Sequence, residues 1–328
     1  MNVSIALFVL PVAVAGGAAP AVAPVKLQLA ATHALPGVKG RIDHLAVDTK
    51  HHRLFVAALG NDSVEVVDTA GTQSRSVAGF AEPQGAAYVA ATNQLFVANG
   101  EAGRIDILDA ASLRVVKRID GLDDADNVRY DAVARRVLVG YGKGALATID
   151  ADNGQLLGRI DLPGHPESFQ LERGGARAFV NVPSAHKVVV IDRAKQALVA
   201  SWDVPNASRN FPMALDEAGR RLFVGARSPA VMLVYDVDSG KVVARVPIGG
   251  DTDDIFFDAE SKRVYAICGD GRIDVIRADA GDRYVAESSV ATAPRARTGL
   301  LVPEEHMLYV AAPADGATPA RILAYRLR

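Results

Sequence analysis

The feature that most constrains this chain is a short apolar motif that recurs seven times. In its first copy the motif reads RLFVA, at residues 53–57, and its central position holds an aromatic residue or leucine. The central residues are Phe55, Phe96, Leu138, Phe179, Phe223, Tyr265 and Tyr309. Successive centres lie 41 to 44 residues apart, and a period of roughly 40–50 residues is typical of propeller blades.

Three further strand-like runs accompany each copy. In the first unit one run precedes the motif (42–48) and one follows it after a short turn (63–68), and in the second unit residues 113–119 form the last run. These runs are rich in β-branched residues and are bounded by Gly, Asn, Asp and Pro, as expected for strands. The pattern predicts an all-β fold, a seven-bladed β-propeller with four-stranded blades. The predicted blades cover approximately residues 40–80, 81–121, 122–164, 165–206, 207–250, 251–292 and 293–328.

The seventh unit is one strand short. It ends with the strand-like run 321–325, whereas the segment 25–35, upstream of the first unit, has strand character without a blade of its own. We predict that this N-terminal strand completes the last blade, since ring closure would bury two sheet edges that would otherwise be exposed. The propeller domain then spans residues 24–328.

The first 23 residues differ from the rest of the chain. An apolar run at 5–10 leads through small residues to Ala21-Val22-Ala23, which predicts a secretory signal peptide and a periplasmic or secreted protein. No basic residue precedes the apolar run, and Pro24 would follow a cut after Ala23, so cleavage after Ala15 or Ala19 is an alternative. A retained anchor is another alternative, but prolines at positions 11 and 20 interrupt the helix that it would need. We therefore expect no retained membrane span.

Charge and cysteine content exclude some classes of function. The chain has 36 basic and 38 acidic residues, and no run of Lys or Arg is longer than a pair, which argues against nucleic acid as a partner. Cys268 is the single cysteine, so no intrachain disulfide can form. We expect a monomer whose partner is a protein or a small-molecule ligand.

Aspartates recur at two positions of the repeat. One set precedes the turn into the motif, as at Asp48, and another closes the third strand, as at Asp68. An Asp side chain accepts a hydrogen bond from a backbone amide two residues on and so favours such turns. Because these aspartates repeat from unit to unit, we interpret them as turn residues rather than as catalytic acids.

The units resemble the YVTN β-propeller repeat family (YncE-like proteins). The resemblance is carried by residues 54–57 with Gly60-Asn61, and by residues 95–100, and it extends over nearly the whole chain after the predicted signal. It implies the propeller architecture, and export is common among such proteins. It implies no particular activity, because propellers support unrelated functions.

The loops that lead into the first strand of each unit should meet at one mouth of the central channel. They are polar in every unit, but their residues change from unit to unit, unlike the turn aspartates. Residues needed for folding should repeat, whereas a site on a symmetric scaffold need not. The predicted ligand-binding residues are Arg41, Asp43, His44, Gln84, Asp126, Asn127, His165, Glu167, Arg209, Asn210, Asp253, Asp254 and Arg297.

The chemistry of this ring leaves several alternatives. Asp126, Glu167 and Asp253 offer oxygen ligands suited to Ca²⁺ or Mg²⁺, whereas His44 and His165 would favour a transition metal. The arginines could instead hold an anionic ligand. In a third interpretation the mouth is simply solvated, and its acids and arginines pair with one another.

Two functions follow from these alternatives. The first is an exported binding or scaffold protein that presents the polar channel mouth to a small ligand or a protein partner. The second is a lyase or hydrolase assisted by a divalent metal, by analogy with lactonases and streptogramin lyases. We find no nucleophile or phosphate-loop motif in the sequence, so it leaves open whether the protein is an enzyme.

Overall fold

Seven four-stranded antiparallel sheets form a closed seven-bladed β-propeller in the computed structural model, which describes Met1 and residues 27–328. The rest of the predicted signal peptide (1–23) lies outside the described residues. The described part of the chain has strands and four single-turn 3₁₀ helices. Within it, no helix has the length and apolar character needed to cross a membrane. The predicted fold class is confirmed.

The first four blades follow one another along the chain. Blade 1 contains β2 (Leu45–Asp48), β3 (Arg53–Ala58), β4 (Ser63–Asp68) and β5 (Ser74–Ala78). Blade 2 contains β6 (Pro83–Val89), β7 (Gln94–Asn99), β8 (Arg104–Asp109) and β9 (Arg114–Asp120). Blade 3 contains β10 (Val128–Asp131), β11 (Arg136–Tyr141), β12 (Ala145–Asp150) and β13 (Leu156–Asp161). Blade 4 contains β14 (Phe169–Leu171), β15 (Arg177–Val182), β16 (Lys187–Asp192) and β17 (Ala197–Asp203).

The last three blades continue this order, with the N-terminal strand added to blade 7. Blade 5 contains β18 (Ser208–Asp216), β19 (Arg221–Ser228), β20 (Ala230–Asp236) and β21 (Val242–Pro247). Blade 6 contains β22 (Thr252–Asp258), β23 (Arg263–Cys268), β24 (Arg272–Asp279) and β25 (Arg283–Ala291). Blade 7 contains β26 (Thr298–Val302), β27 (Met307–Ala312), β28 (Arg321–Leu327) and β1 (Leu27–Ala34).

Closure of the ring joins the two ends of the described chain. Strand β1 pairs antiparallel with β28, in a register that runs from Leu27 opposite Leu327 to Ala34 opposite Arg321. This is the predicted closure by the N-terminal strand. It gives β28 a partner on both sides, so the strand presents no unpaired backbone edge.

The recurring motif forms the second strand of every blade, where the neighbouring blades bury it. Seven apolar clusters fill the seven interfaces between adjacent blades. Six of them contain the central aromatic residue of the motif, such as Phe55 between blades 1 and 2 and Phe179 between blades 4 and 5. Between blades 3 and 4 the corresponding residue is Leu138.

The repeated aspartates hold turns, as interpreted from the sequence. Asp131 Oδ1 accepts hydrogen bonds from the amides of Val133 and Ala134, at 3.1 and 3.0 Å. Asp150, at the end of a third strand, accepts in the same way from Asp152 and Asn153. These carboxylates lie at the end of the propeller opposite the channel mouth, where the first strand of each blade begins.

Candidate channel-mouth site

The backbone register brings one residue from each blade to an equivalent place at the channel mouth. The amides of Asp43, Asp126 and Glu167 each donate to a carbonyl of the second strand of their own blade, at 2.7, 2.9 and 3.0 Å. In the other four blades, the pairing of the first strand with the second strand identifies the residue at the same position. We call this set the inner ring, and its members are Asp43, Gln84, Asp126, Glu167, Phe211, Asp253 and Arg297.

Blades 2 and 3 approach each other closely beside this ring. A Cβ atom on Gly85 would lie 2.1 Å from the carbonyl oxygen of Asp126, far inside van der Waals contact. Only glycine fits at this position without moving the backbone that carries Asp126. The requirement is local and steric, and it allows the close approach of the backbone that carries one inner-ring residue.

Three side chains of blades 3 and 4 offer a set of metal-ligand atoms. One atom each from Asp126, His165 and Glu167 lie within 4.8 Å of one another. The Nδ1 atom of His165 lies 2.7 Å from the carbonyl oxygen of Gly142. A carbonyl can only accept, so Nδ1 carries the hydrogen, and Nε2 faces Asp126 Oδ2 at 3.8 Å. A hydrogen bond to the far ring nitrogen orients most metal-binding histidines in this way.

The inner ring concentrates negative charge. Burial raises the pKa of Glu167 to about 8, and the nearby charges of Asp126 and Asp253 add to the effect. Burial likewise raises the pKa of Asp43 to about 7, against the opposing influence of His44. Both carboxyl groups therefore release their protons at a higher pH than an ordinary carboxyl group does.

His44 lies between two carboxylates from different blades. Its Nε2 atom is 3.7 Å from Asp43 Oδ1, and its Nδ1 atom is 3.4 Å from Asp254 Oδ2. Burial on its own would lower the pKa of His44, but Asp254 and Asp43 outweigh it and raise that pKa to about 10. His44 is thus a cation held between two carboxylates, and it is not a member of the metal-ligand set formed by Asp126, His165 and Glu167.

Two arginines hold the acids of blade 6. Arg227 Nη2 lies 2.5 Å from Asp253 Oδ1, and Arg297 Nε lies 2.9 Å from Asp253 Oδ2. Both arginines also contact Asp251. The Cζ atom of Arg227 lies 4.2 Å from the centroid of the Phe211 ring, a distance at which a cation and an aromatic face attract each other. Asp253, a predicted metal ligand, is therefore engaged by two guanidinium groups.

Arg41 has a comparable role in blade 1. Its Nη2 atom lies 2.5 Å from Asp43 Oδ2. Asp254, in turn, accepts a hydrogen bond from the amide of Gly299 at 2.9 Å. The acids of blades 1 and 6 are thus compensated within the protein.

The predicted amide side chains of blades 2 and 3 contact two aspartates of blade 3. Asn127 is buried, and its Nδ2 atom lies 3.4 Å from Asp126 Oδ1. The Nε2 atom of Gln84 donates to Asp124 Oδ1 at 3.3 Å. Both amides therefore lie close to the carboxylates of blade 3.

The predicted residues of blade 5 do not join the carboxylates. Asn210 is fully buried and donates to Asn181 Oδ1 at 3.0 Å and to the carbonyl of Lys187 at 3.1 Å, so it connects blades 4 and 5. Arg209 is exposed, with its guanidinium 5.8 Å from the Phe211 ring. The backbone shifts register between Asn210 and Met213, and this shift brings Phe211 to the inner-ring position.

Sequence reasoning missed Arg129. It is the second residue of β10, and burial lowers the pKa of its guanidinium, against the charges of Asp254 and Asp126. The equivalent position holds alanine in blades 1, 2 and 5. An arginine at this position of a short first strand is a feature of the sequence that could have identified the residue. Arg129 contributes a positive charge near the inner-ring acids.

The fold and the channel mouth define the protein as a seven-bladed β-propeller with a polar, charge-crowded mouth. It is similar to a chain in the structure of hydrazine synthase from Kuenenia stuttgartiensis, at 17% identity and a TM-score of 0.74, over 87% of this chain and 99% of that one. It is also similar to a chain in the crystal structure of a mitotic checkpoint complex, at 14% identity and a TM-score of 0.79, over 99% of each chain. Identities this low show the shared fold alone. No protein-family model matches the chain, and no curated protein does.

Proposed function

We propose that the protein is a binding propeller that holds a divalent cation at its channel mouth and, through that cation, a small ligand. The observation that carries the proposal is the convergence of Asp126, His165 and Glu167, whose ligand atoms lie within 4.8 Å of one another. Three protein ligands would leave coordination positions for a ligand that offers oxygen atoms.

The distribution of ion pairs supports these residues over the other acids. Asp43 and Asp253 each have an arginine partner, and Asp254 faces His44. Within the described part of the chain, neither Asp126 nor Glu167 has a lysine or arginine within 4.0 Å. Among the described residues, these are the two inner-ring carboxyl groups that no guanidinium or ammonium group engages.

The donor set bears on the identity of the ion. Carboxylates suit Ca²⁺, Mg²⁺ and Mn²⁺, whereas an imidazole nitrogen suits Zn²⁺ and other transition ions. A set of two carboxylates and one imidazole therefore favours Mn²⁺ or Zn²⁺ over Ca²⁺ and Mg²⁺. The sequence alone suggested Ca²⁺ or Mg²⁺ because it counted Asp253, which two arginines engage, among the ligands. It left a transition metal open through His44 and His165.

Thermal unfolding tests the proposal. After chelation, added Mn²⁺ or Zn²⁺ should raise the melting temperature, because an ion that binds only the folded state stabilises it by mass action. The double variant Asp126→Asn/Glu167→Gln should fold and lose this rise. Asp161→Asn/Asp203→Asn removes two exposed carboxylates of outer strands and should retain it. A panel of Mn²⁺, Zn²⁺, Ca²⁺ and Mg²⁺ that leaves the wild type unshifted would refute the cation site.

A second candidate function is a metal-assisted lyase or hydrolase. The observation in its favour is Asp43, whose pKa of about 7 suits a proton donor or acceptor near neutral pH. If this function is correct, Asp43→Asn should abolish turnover of a lactone or ester substrate and keep the metal-induced rise in melting temperature. Equal turnover by wild type and variant would remove Asp43 from any catalytic role.

We also propose that the chain is a divergent YVTN-type propeller that acts as a monomer in the periplasm or outside the cell. The motif at residues 53–57 and its repeats support the family assignment, and the apolar run before residue 23 supports export. Fractionation of the producing cell, followed by N-terminal sequencing of the mature protein, tests the export proposal directly.

A further inference from the structure

A cavity lies between blades 3 and 4, at the end of the propeller opposite the channel mouth. Its volume is about 390 Å³, within the range of small-molecule sites, roughly 300–1,000 Å³. Most of its lining is apolar, and it includes Val133, Ala134, Leu138, Ile160, Ala176 and Ala194. Val133 is 80% exposed, so the apolar lining is continuous with the protein surface.

The cavity exists where the repeat departs from its own pattern. Leu138 occupies the motif position that holds an aromatic residue in the other six blades. Opposite it on β12 lies Thr148, where most other blades have valine or isoleucine. The smaller side chain at position 138 leaves unfilled the volume that an aromatic ring occupies at the other interfaces.

An ion pair that blades 1 and 4 form within the blade is absent from blade 3. In blades 1 and 4 the arginine that begins the second strand pairs with the acid that ends or follows the first strand. Arg53 Nη2 lies 2.6 Å from Asp48 Oδ2, and Arg177 Nη2 lies 2.5 Å from Glu172 Oε1. In blade 3 these positions hold Arg136 and Asp131, and they form no such pair.

Asp131 is contacted by an arginine of the next blade instead. The Nη1 atom of Arg193 in blade 4 forms a hydrogen-bonded ion pair with Asp131 Oδ2. At the position of Arg193 other blades carry small or apolar residues, such as Ala110 in blade 2, Ala151 in blade 3 and Val237 in blade 5. Arg193 therefore replaces Arg136 as the partner of Asp131.

Arg136 is left without a side-chain partner. Among the described residues its guanidinium makes no hydrogen bond and no ion pair. Its neighbour across the ladder, Asp150, accepts hydrogen bonds from the amides of Asp152 and Asn153. The cavity lining thus contains two guanidinium groups, Arg136 and Arg193, and one carboxylate, Asp131, which leaves one positive charge in excess.

We propose that this cavity binds a small amphipathic carboxylate, whose apolar body packs against Leu138 and Ile160 and whose carboxylate pairs with Arg136. A single guanidinium can bind a carboxylate through two parallel hydrogen bonds. The apolar lining suits a hydrocarbon or aromatic body. A polyanion such as a phosphate ester is disfavoured, because the single unpaired guanidinium would not neutralise its charge.

Calorimetric titration of the full chain with octanoate tests the proposal, with octanamide as the uncharged analogue. Octanoate should bind the wild type, and octanamide should bind roughly ten- to hundredfold more weakly, because the charge-assisted contact is lost. Arg136→Gln should weaken octanoate by a similar factor. Leu138→Phe should abolish binding, because it restores the ring that fills this position in six blades.

Arg114→Gln is the matched control. Arg114 is exposed at the start of β9 in blade 2, and its side chain has no hydrogen bond or ion pair among the described residues. It does not line the cavity, so its replacement removes one positive charge without changing the lining. It should bind octanoate as the wild type does. Equal affinity for octanoate and octanamide, or unchanged affinity in Arg136→Gln, would overturn the role of Arg136. Absence of octanoate binding to the wild type at millimolar concentration would overturn the proposed ligand class.

Discussion

His165 donates its Nδ1 hydrogen to the carbonyl oxygen of Gly142, at 2.7 Å. Gly142 lies in the loop between the second and third strands of blade 3, whereas His165 leads into blade 4. The bond therefore crosses an interface between blades and orients the ring so that Nε2 faces Asp126. Neither residue could be paired with the other from sequence, because 23 positions separate them.

This orientation makes His165 the residue whose replacement should be most informative. His165→Asn should weaken Mn²⁺ or Zn²⁺ affinity by at least about tenfold, since loss of one metal ligand or its support is typically worth 10–100-fold. His186→Asn is the control, because His186 is exposed at the same end of the propeller and asparagine tolerates its left-handed backbone. Titration calorimetry of both variants measures the difference, and equal affinities would exclude His165 as a ligand.

The charge of the mouth also predicts how stability depends on pH. The pKa of Glu167 is about 8 in the folded protein, above its ordinary value of 4.5. Between these values the folded state holds a proton that the unfolded chain has released. The stabilisation is therefore complete below pH 4.5 and is lost as pH rises through 8. His165, with a pKa raised from 6.5 to about 9, acts in the same direction at higher pH.

In the presence of a chelator we therefore expect a higher melting temperature at pH 6 than at pH 9. Glu167→Gln should reduce the decline between pH 5 and 8, because the amide does not titrate. With saturating Mn²⁺ the trend should reverse, since metal binding requires deprotonated ligands. Parallel pH profiles for wild type and variant in the chelator would contradict the assignment of this titration to Glu167.

The rearranged ion pair between blades 3 and 4 can be restored. Arg193→Ala introduces the residue found at this position in blade 2 and frees Asp131. Arg136 should then pair with Asp131, as Arg53 pairs with Asp48, and octanoate affinity should fall by roughly tenfold. A crystal structure of the variant would show the new contact. A variant that keeps both the free Arg136 and full octanoate affinity would show that Arg193 does not control this pairing.

Ring closure should contribute strongly to stability. A chain that begins at residue 35 lacks β1 and leaves β28 as an exposed edge. The lost ladder hydrogen bonds are each worth about 0.5–1.5 kcal/mol, so the free energy of unfolding should fall by at least about 3 kcal/mol. The truncated chain should also self-associate through the open edge. Urea unfolding and sedimentation, compared with a chain that begins at residue 27, measure both effects.

Replacing the central residue of the repeated motif by alanine should lower the free energy of unfolding by different amounts at different interfaces between blades. Phe179 is fully buried between blades 4 and 5, so Phe179→Ala should cost about 3–5 kcal/mol of unfolding free energy. Leu138 borders an existing cavity, so Leu138→Ala should cost only about 2 kcal/mol, at the low end for a buried leucine. Urea midpoints of both variants test this order. Equal costs would indicate that Leu138 is as tightly packed as the aromatic residues.

The number of blades and the closure of the ring were predictable from the sequence because each blade is a local unit. The motif around Phe55 returns every 41 to 44 residues, and hydrophobic alternation with turn aspartates defines the strands between copies. The seventh unit is one strand short and the N-terminal segment has a strand without a blade, so the N-terminal strand was predicted to complete the last blade. The strands of a blade depend on neighbours in the chain, which are visible in sequence, and the closure follows from counting those strands.

The candidate sites could be predicted only as sets of residue types. The sequence indicated that acids, arginines and histidines would meet at the channel mouth, but not that Arg227 and Arg297 would engage Asp253, or that His44 would bridge Asp43 and Asp254. Arg129 and Phe211 were missed because their positions depend on strand register.

What the sequence by itself determined is the architecture, since the repeat period, the strand pattern and the turn residues act within single blades. Among the described residues, the tertiary structure alone decided that Asp126 and Glu167 at the mouth have no lysine or arginine partner, and that Arg136 in the cavity between blades 3 and 4 has no acidic partner. The physical reason is that these groups and their competitors come from different blades. Their Coulomb interactions depend on distances of a few ångströms across interfaces that no local pattern records.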